Sequence, residues 1–383
     1  MPARGFDAWL LGICAARFLI NLIFMTYAAA LLVLKIAWGM SSTQAGSIPM
    51  GFQLGLSLSL LLFSWLADLV GARRIFLISA GLGAVMTLTF AAFARSYVSG
   101  LVLNTLVAFG LGGTYTASII LVADRYLPAR RGAAMGWLLA SSSISYAASL
   151  LLSGAMLTRG GYPSAFPVTA AGAPAGLAVG WLVLRSTPNV VHPRHEGVHT
   201  ASEVLRNPDA ARLIVGYTAH SWELLGMWAW APAFVAASLA MSGSKTLAAV
   251  QSGAYLAAVF HVMGLLASTT MGHLSDRLGR RTVLLALAAA SAVCSLVFGW
   301  LIALPTVLVV AVGAAYSFAA LGDSPVLSVA LTEVVRPAFL GSALAIRSLL
   351  GFGAGALAPP AFGAILDATI LRGRRPLSGV GPL

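Results

Sequence analysis

Eleven stretches of this chain, each about twenty residues long and almost free of charge, leave it one environment in which to fold. They cover residues 8–34, 46–66, 75–94, 99–122, 132–156, 164–184, 211–238, 247–271, 282–303, 306–331 and 341–365. A bilayer core about 30 Å thick takes roughly 20 helical residues to cross, and a backbone in hydrocarbon must satisfy its own hydrogen bonds. The expected fold is an all-α polytopic membrane protein with about eleven transmembrane helices. Composition agrees, since 9% of residues are charged against about 25% in a soluble domain. The first run is too long for a signal-peptide core and has no convincing cleavage site, so it reads as a retained span. Cys14 and Cys294 lie inside apolar runs and offer neither a disulfide framework nor a metal motif.

A formal charge of +12 raises nucleic acid as a partner, but the positions of the basic residues answer that differently. Fourteen of the 23 Lys and Arg residues fall on the connections of one face and four on the other. The positive-inside rule puts the richer face and the N-terminus in the cytoplasm, in a cell's inner (plasma) membrane. The bilayer, not nucleic acid, is the expected partner. No cofactor is expected. No phosphate-binding Gly-x-x-x-x-Gly-Lys-Ser/Thr loop occurs, which argues against ATP drive. The spacing of His192, His195 and His199 fits no zinc motif.

The chain also repeats itself. Asp68-Leu69-Val70-Gly71-Ala72-Arg73-Arg74 follows the second run and Asp276-Arg277-Leu278-Gly279-Arg280-Arg281 the eighth, with the aspartates 208 residues apart. Gly132 and Gly341 give 209. The period divides the chain into a six-helix bundle at 1–184, a linker at 185–209, a five-helix bundle at 210–366 and a basic tail at 367–383. The sixth run's counterpart would start near residue 372, where Arg372, Arg374 and Arg375 stand instead. A twelfth helix is not expected.

These residues resemble the signature of the major facilitator superfamily, Gly-x-x-x-Asp-Arg/Lys-x-Gly-Arg/Lys-Arg/Lys, placed after the second helix and again after the eighth. Gly272 to Arg281 matches it in full; the first copy has Ser64, Leu69 and Ala72 at variant positions. The resemblance implies two pseudo-symmetric helical bundles and a gating role for Asp68, Gly71, Arg73 and Arg74 and for Asp276, Gly279, Arg280 and Arg281. Positive-inside topology with ordinary helix capping is the plainer account of the same residues. The resemblance also implies loop ion pairs involving Asp124 and Arg131, and Glu333 and Arg336. The fifth helix reads Ser145-Tyr146-Ala147-Ala148-Ser149-Leu150, which departs from the Gly-Pro pattern of drug-proton antiporters.

An ionisable side chain in the hydrocarbon core costs about 2.5–3.5 kcal/mol even on lenient scales, so each needs a reason. Arg17, with Asn21 one turn on, suits anchorage of an anionic group. His220 and Glu223 lie three apart near the middle of the seventh run, and Glu223 maps by the repeat to the depth of Arg17. It is expected either to couple protons or to hold a permanent salt bridge with Arg17. His261, with Gln251 and Tyr255, is a further polar candidate for the cavity or a packing residue. Asp323 and Arg347 are expected to neutralise one another. Trp222, Trp228 and Trp230 suit either substrate stacking or interfaces. The function expected is secondary transport of a small polar or anionic organic solute by alternating access, coupled to protons, with Arg17, Asn21, His220, Glu223 and His261 at the site. The alternatives are an exporter of amphipathic compounds and a truncated, non-transporting membrane protein. An enzyme is not expected, because the spans carry no clustered catalytic groups.

Overall fold

The computed structural model describes residues 7–191, 201–336 and 340–371. His192, His195, His199 and the arginines of the tail lie outside the described residues. Among those described, eleven helical spans are long and apolar enough to cross a membrane: span 1 (Ala8–Ala37), span 2 (Ser42–Val70), span 3 (Ala72–Phe93), span 4 (Tyr97–Arg125), span 5 (Ala134–Gly160), span 6 (Tyr162–Leu184), span 7 (Pro208–Met241), span 8 (Thr246–Leu278), span 9 (Arg280–Ala303), span 10 (Thr306–Val334) and span 11 (Ala343–Thr369). Each apolar run became a span. Most helices overrun their runs because polar end residues continue the backbone hydrogen bonding into water. The last helix continues to Leu371, past the 366/367 boundary drawn from hydropathy. A short helix, Ala201–Arg206, precedes span 7.

Span 1 is not continuous. Its α-helix stops at Ile20, passes through a 3-10 turn at Asn21–Ile23 and resumes at Thr26. Such a break frees backbone groups that hydrocarbon cannot solvate. Here the Met25 N–H donates to the hydroxyl of Ser149 in span 5 at 3.2 Å.

Span 2 packs on span 4, span 3 on span 4 and span 1 on span 6; in the second half, span 8 packs on span 10, span 9 on span 10 and span 7 on span 11. The 2–4 and 3–4 pairings thus recur as 8–10 and 9–10, one repeat later. The halves meet through span 2 against span 11 and span 5 against span 8. Span 1 reaches spans 7 and 8 through Thr26–Ala37, the part remote from the arginine-rich face.

The repeated motif builds the same turn twice. Gly71 has φ 90° and ψ 145°, and Gly279 φ 86° and ψ 144°. That region is open essentially to glycine alone and costs other residues on the order of 1–3 kcal/mol. Gly279→Ala is accordingly expected to lower the melting temperature of the purified protein, whereas alanine at the solvent-exposed Arg277 is not; equal melts would remove the conformational argument.

The face opposite the arginines is closed by a carboxylate. Asp367, near the end of span 11, accepts hydrogen bonds at 2.8 Å from the backbone N–H groups of Ser42 and Thr43 and at 2.7 Å from the Thr43 hydroxyl. It therefore caps the N-terminus of span 2 from the other half of the molecule. Two glycines permit the approach: Gly46 abuts the Pro359 carbonyl, and Gly363 abuts that of Ser42. On the same face, the Gln251 amide donates to Thr158 at 3.3 Å.

Candidate functional site

A cavity of about 280 Å³ lies between the halves, lined by Arg17, Gln53, Tyr115 and Tyr146 on one side and Tyr217, His220 and Trp228 on the other. It is framed by spans 1, 2, 4, 5, 7, 10 and 11.

Arg17 is 4% exposed. Its Nη1 donates to the Thr114 hydroxyl at 2.9 Å and its Nη2 to the Ser142 hydroxyl at 3.2 Å, while its Nε has no partner. The guanidinium lies 5.4 Å from the centre of the Tyr115 ring. Hydroxyls and a ring face orient a cation without neutralising it. No carboxylate pairs with Arg17 among the described residues. Asn21 is fully buried and donates to the same Ser142 hydroxyl at 3.0 Å. It does not line the cavity; it holds the serine that holds the arginine.

Glu223 is a correction. Instead of reaching Arg17, it accepts a hydrogen bond at 2.7 Å from Ser291 of span 9 and faces Tyr316 of span 10. The repeat matched its depth to that of Arg17 but not its direction around the helix. The expected Asp323–Arg347 pair is a second correction. Asp323 instead stands 2.7 Å from Nδ1 of His220, at ion-pair distance though off hydrogen-bond geometry. Arg347 donates to Ser328 at 2.7 Å and lies 4.1 Å from the centre of the Tyr217 ring. His220 thus meets Asp323 of span 10 and Tyr217 of its own helix, with Arg347 of span 11 beyond that ring and Arg17 and Tyr115 across the cavity.

His261 backs an aromatic wall. Its ring centre is 5.7 Å from that of Tyr146 and 5.2 Å from that of Trp228. Gln251 and Tyr255 bond to each other at 3.0 Å and point away to span 5, not to the cavity. Of the three tryptophans, Trp228 lines the cavity, Trp230 donates to the Pro359 carbonyl at 3.0 Å and Trp222 is exposed. Sequence reasoning missed Thr114 and Tyr115. The unbroken run Gly112-Gly113-Thr114-Tyr115-Thr116 inside span 4 was the signal for them.

At the arginine-rich face, Arg280 gathers the second motif, bonding Asp276 at 2.5 Å and Glu333 at 2.9 Å. Glu333 therefore pairs with the motif arginine, not with Arg336, which is exposed like Arg281. In the first copy, Arg73 donates to the Arg185 carbonyl at 3.3 Å. Asn189 accepts from the Arg74 N–H at 3.2 Å and donates to the Val70 carbonyl at 2.7 Å. Arg131 donates to the Tyr126 carbonyl at 3.3 Å. Asp68 and Asp124 also have partners.

Asp7 ties the start of span 1 to the end of span 4. It accepts from the Tyr126 hydroxyl at 2.7 Å, from the Trp9 N–H at 3.0 Å and from Arg125 at 3.5 Å. Burial alone would raise its carboxyl, but these donors outweigh burial and hold it below the ordinary 3.8. Burial first, and the Asp7 carboxylate second, push the Tyr126 phenol up to about 12. A carboxyl depressed by folding stabilises above its unfolded pKa, and that contribution is lost as pH falls through its folded value. Asp7→Asn is therefore expected to lower the melting temperature at pH 7, with the gap to wild type closing as pH drops below 3.8; a gap that stays constant with pH would assign the effect to shape.

Comparison with known proteins agrees with this architecture. Over 142 residues the chain is 27% identical to the putative niacin/nicotinamide transporter NiaP of Bacillus subtilis (strain 168), a match covering 36% of this chain and 34% of that relative. In fold it is similar to a bacterial homolog of the human lysosomal transporter Spinster in its inward-facing, unoccupied conformation. There the TM-score is 0.71 and identity 20%, over 96% of this chain and 85% of that one. It is also similar to the nucleoside transporter NupG, with TM-score 0.73 and 14% identity over 94% of this chain and 91% of that one. At such identities the structural likeness speaks for the fold alone. Residues 13–359 match the sequence profile described as the Major Facilitator Superfamily. With eleven spans among the described residues, a duplicated Asp-Gly-Arg turn and a profile match over most of its length, the chain belongs to the Major Facilitator Superfamily, a family of membrane transporters and not of enzymes.

Proposed function

We propose that the protein is a secondary active transporter that carries a small organic anion by alternating access, with proton coupling through His220 and Asp323. The observation that carries this reading is Arg17, a buried cation on the cavity wall with no carboxylate partner among the described residues. A fixed positive charge at mid-membrane is costly unless a ligand completes it. His220 and Asp323 form a pair whose charge depends on protonation, across the cavity from that cation. Glu223, turned toward Ser291, drops out of the substrate path in this reading.

The bundles at 1–184 and 210–366 are the bodies that rock, joined by the linker at 185–209. In this reading the arginine-rich face is cytoplasmic in a cell's inner membrane, and the contacts at Asp367 hold the opposite side closed. The niacin/nicotinamide name of one similar protein is in keeping with a small polar solute.

Reconstitution in proteoliposomes tests the reading with labelled benzoate, lactate and succinate under an imposed pH gradient. Wild type is expected to accumulate at least one of them. Asp323→Asn is expected to retain exchange of that solute between the two sides while losing gradient-driven accumulation. Folded wild type that neither accumulates nor exchanges any of the three would overturn the reading, and an Asp323→Asn variant that still accumulates would remove the coupling role.

A further inference from the structure

Resting on that organic-anion reading, we infer that the cavity selects a planar aromatic monocarboxylate, with the acid on Arg17 and the ring against Tyr146 and Trp228.

Charge comes first. Among the described residues, Arg17 is the only Lys or Arg side chain that lines the cavity, and the one further group there able to become cationic, His220, has Asp323 beside it. One negative charge is therefore matched and a second is not, which excludes dicarboxylates. Thr114 and Ser142 occupy one hydrogen bond on each terminal nitrogen of the guanidinium, leaving the second N–H of each for a carboxylate. A neutral carboxamide would leave the cation unmatched.

Shape comes second. Phe24 and Tyr146 stack with ring centres 5.5 Å apart and planes 21° from parallel. Phe52 meets Phe24 edge-on at 4.9 Å, and Trp228 meets Tyr146 at 5.7 Å and 67°. All four rings line the cavity and come from both halves. Flat, polarised walls at these angles take another ring by stacking or edge contact, which a saturated ring of the same size forgoes. At about 280 Å³ the space lies at the small end of ligand sites, suited to one ring with its acid.

Because Tyr146 belongs to the first half and Trp228 to the second, a ring resting against both also touches the two bodies that must move. His261 packs against both and fixes the angle between them.

The test is equilibrium binding of labelled benzoate to the purified full chain, with cyclohexanecarboxylate, benzamide and succinate as competitors. Benzoate is expected to bind about tenfold more tightly than cyclohexanecarboxylate, and benzamide and succinate to compete at least that much more weakly. Tyr146→Leu and Trp228→Leu, checked for folding by their melting temperatures, are expected to weaken benzoate more than cyclohexanecarboxylate and so to remove the preference for benzoate. If cyclohexanecarboxylate or succinate equals benzoate on wild type, the aromatic assignment is overturned and the anion reading stands. If no carboxylate binds folded protein, both fall.

Discussion

Arg17→Gln is expected to weaken binding of the proposed organic anion without unfolding the protein. The carboxylate loses two charge-assisted hydrogen bonds, each worth about 1.5–3 kcal/mol, so a loss of several hundredfold in affinity is expected. Arg17→Lys keeps the charge but not the fork and falls between. Stability moves the other way. A buried cation without a counter-ion burdens the folded state, and a neutral amide of similar length still reaches Thr114 or Ser142. The melting temperature of Arg17→Gln is therefore expected to equal or exceed that of wild type. Equilibrium binding and thermal melts on the same sample decide it: a variant that loses both affinity and several degrees of melting temperature would make Arg17 a structural residue.

The second large effect concerns which way the transporter opens. Asp367→Asn keeps an oxygen near Ser42 and Thr43 but loses the charge that faces the start of span 2. A carboxylate at a helix N-terminus is worth about 0.3–2 kcal/mol, and its hydrogen bonds weaken on neutralisation. The balance between inward-open and outward-open states is expected to shift toward the outward state by about tenfold. Spin labels at Arg95 and Ser244, both exposed on the closed face, read this directly in a protein whose Cys14 and Cys294 have been replaced. The variant should populate a longer distance that wild type scarcely samples. Identical distance distributions would leave Asp367 with a capping role only.

The spans were legible because bilayer thickness writes itself into sequence as the length of uncharged runs, and the repeat because glycine is required twice at the same backbone angle. Arg17 stood out for the same physical reason, the cost of a charge in hydrocarbon. What the sequence did not carry was phase. Glu223 and His220 are three residues apart, close enough on a helix to share a face, yet one meets Ser291 and the other Asp323. The direction of each depends on how span 7 is rolled against spans 9 and 10, which only packing decides. Asp367 was missed for a different reason: it lies beyond the apolar run, so hydropathy assigned it to a tail, while its task depends on a helix start 324 residues away. Glu333 was paired with its near neighbour Arg336 for want of the contact with Arg280, which crosses from one loop to another.

Two asparagines moor the connector between the halves. Asn189 binds the Val70 carbonyl and the Arg74 N–H, closing the end of one helix and the start of the next within the first half. Asn207 binds the Val334 carbonyl and caps the start of span 7 in the second. Each mooring belongs to one body, so a pull on the connector is borne at its knots and not passed down a helix. The two moorings thus fix the point at which each body takes up the connector.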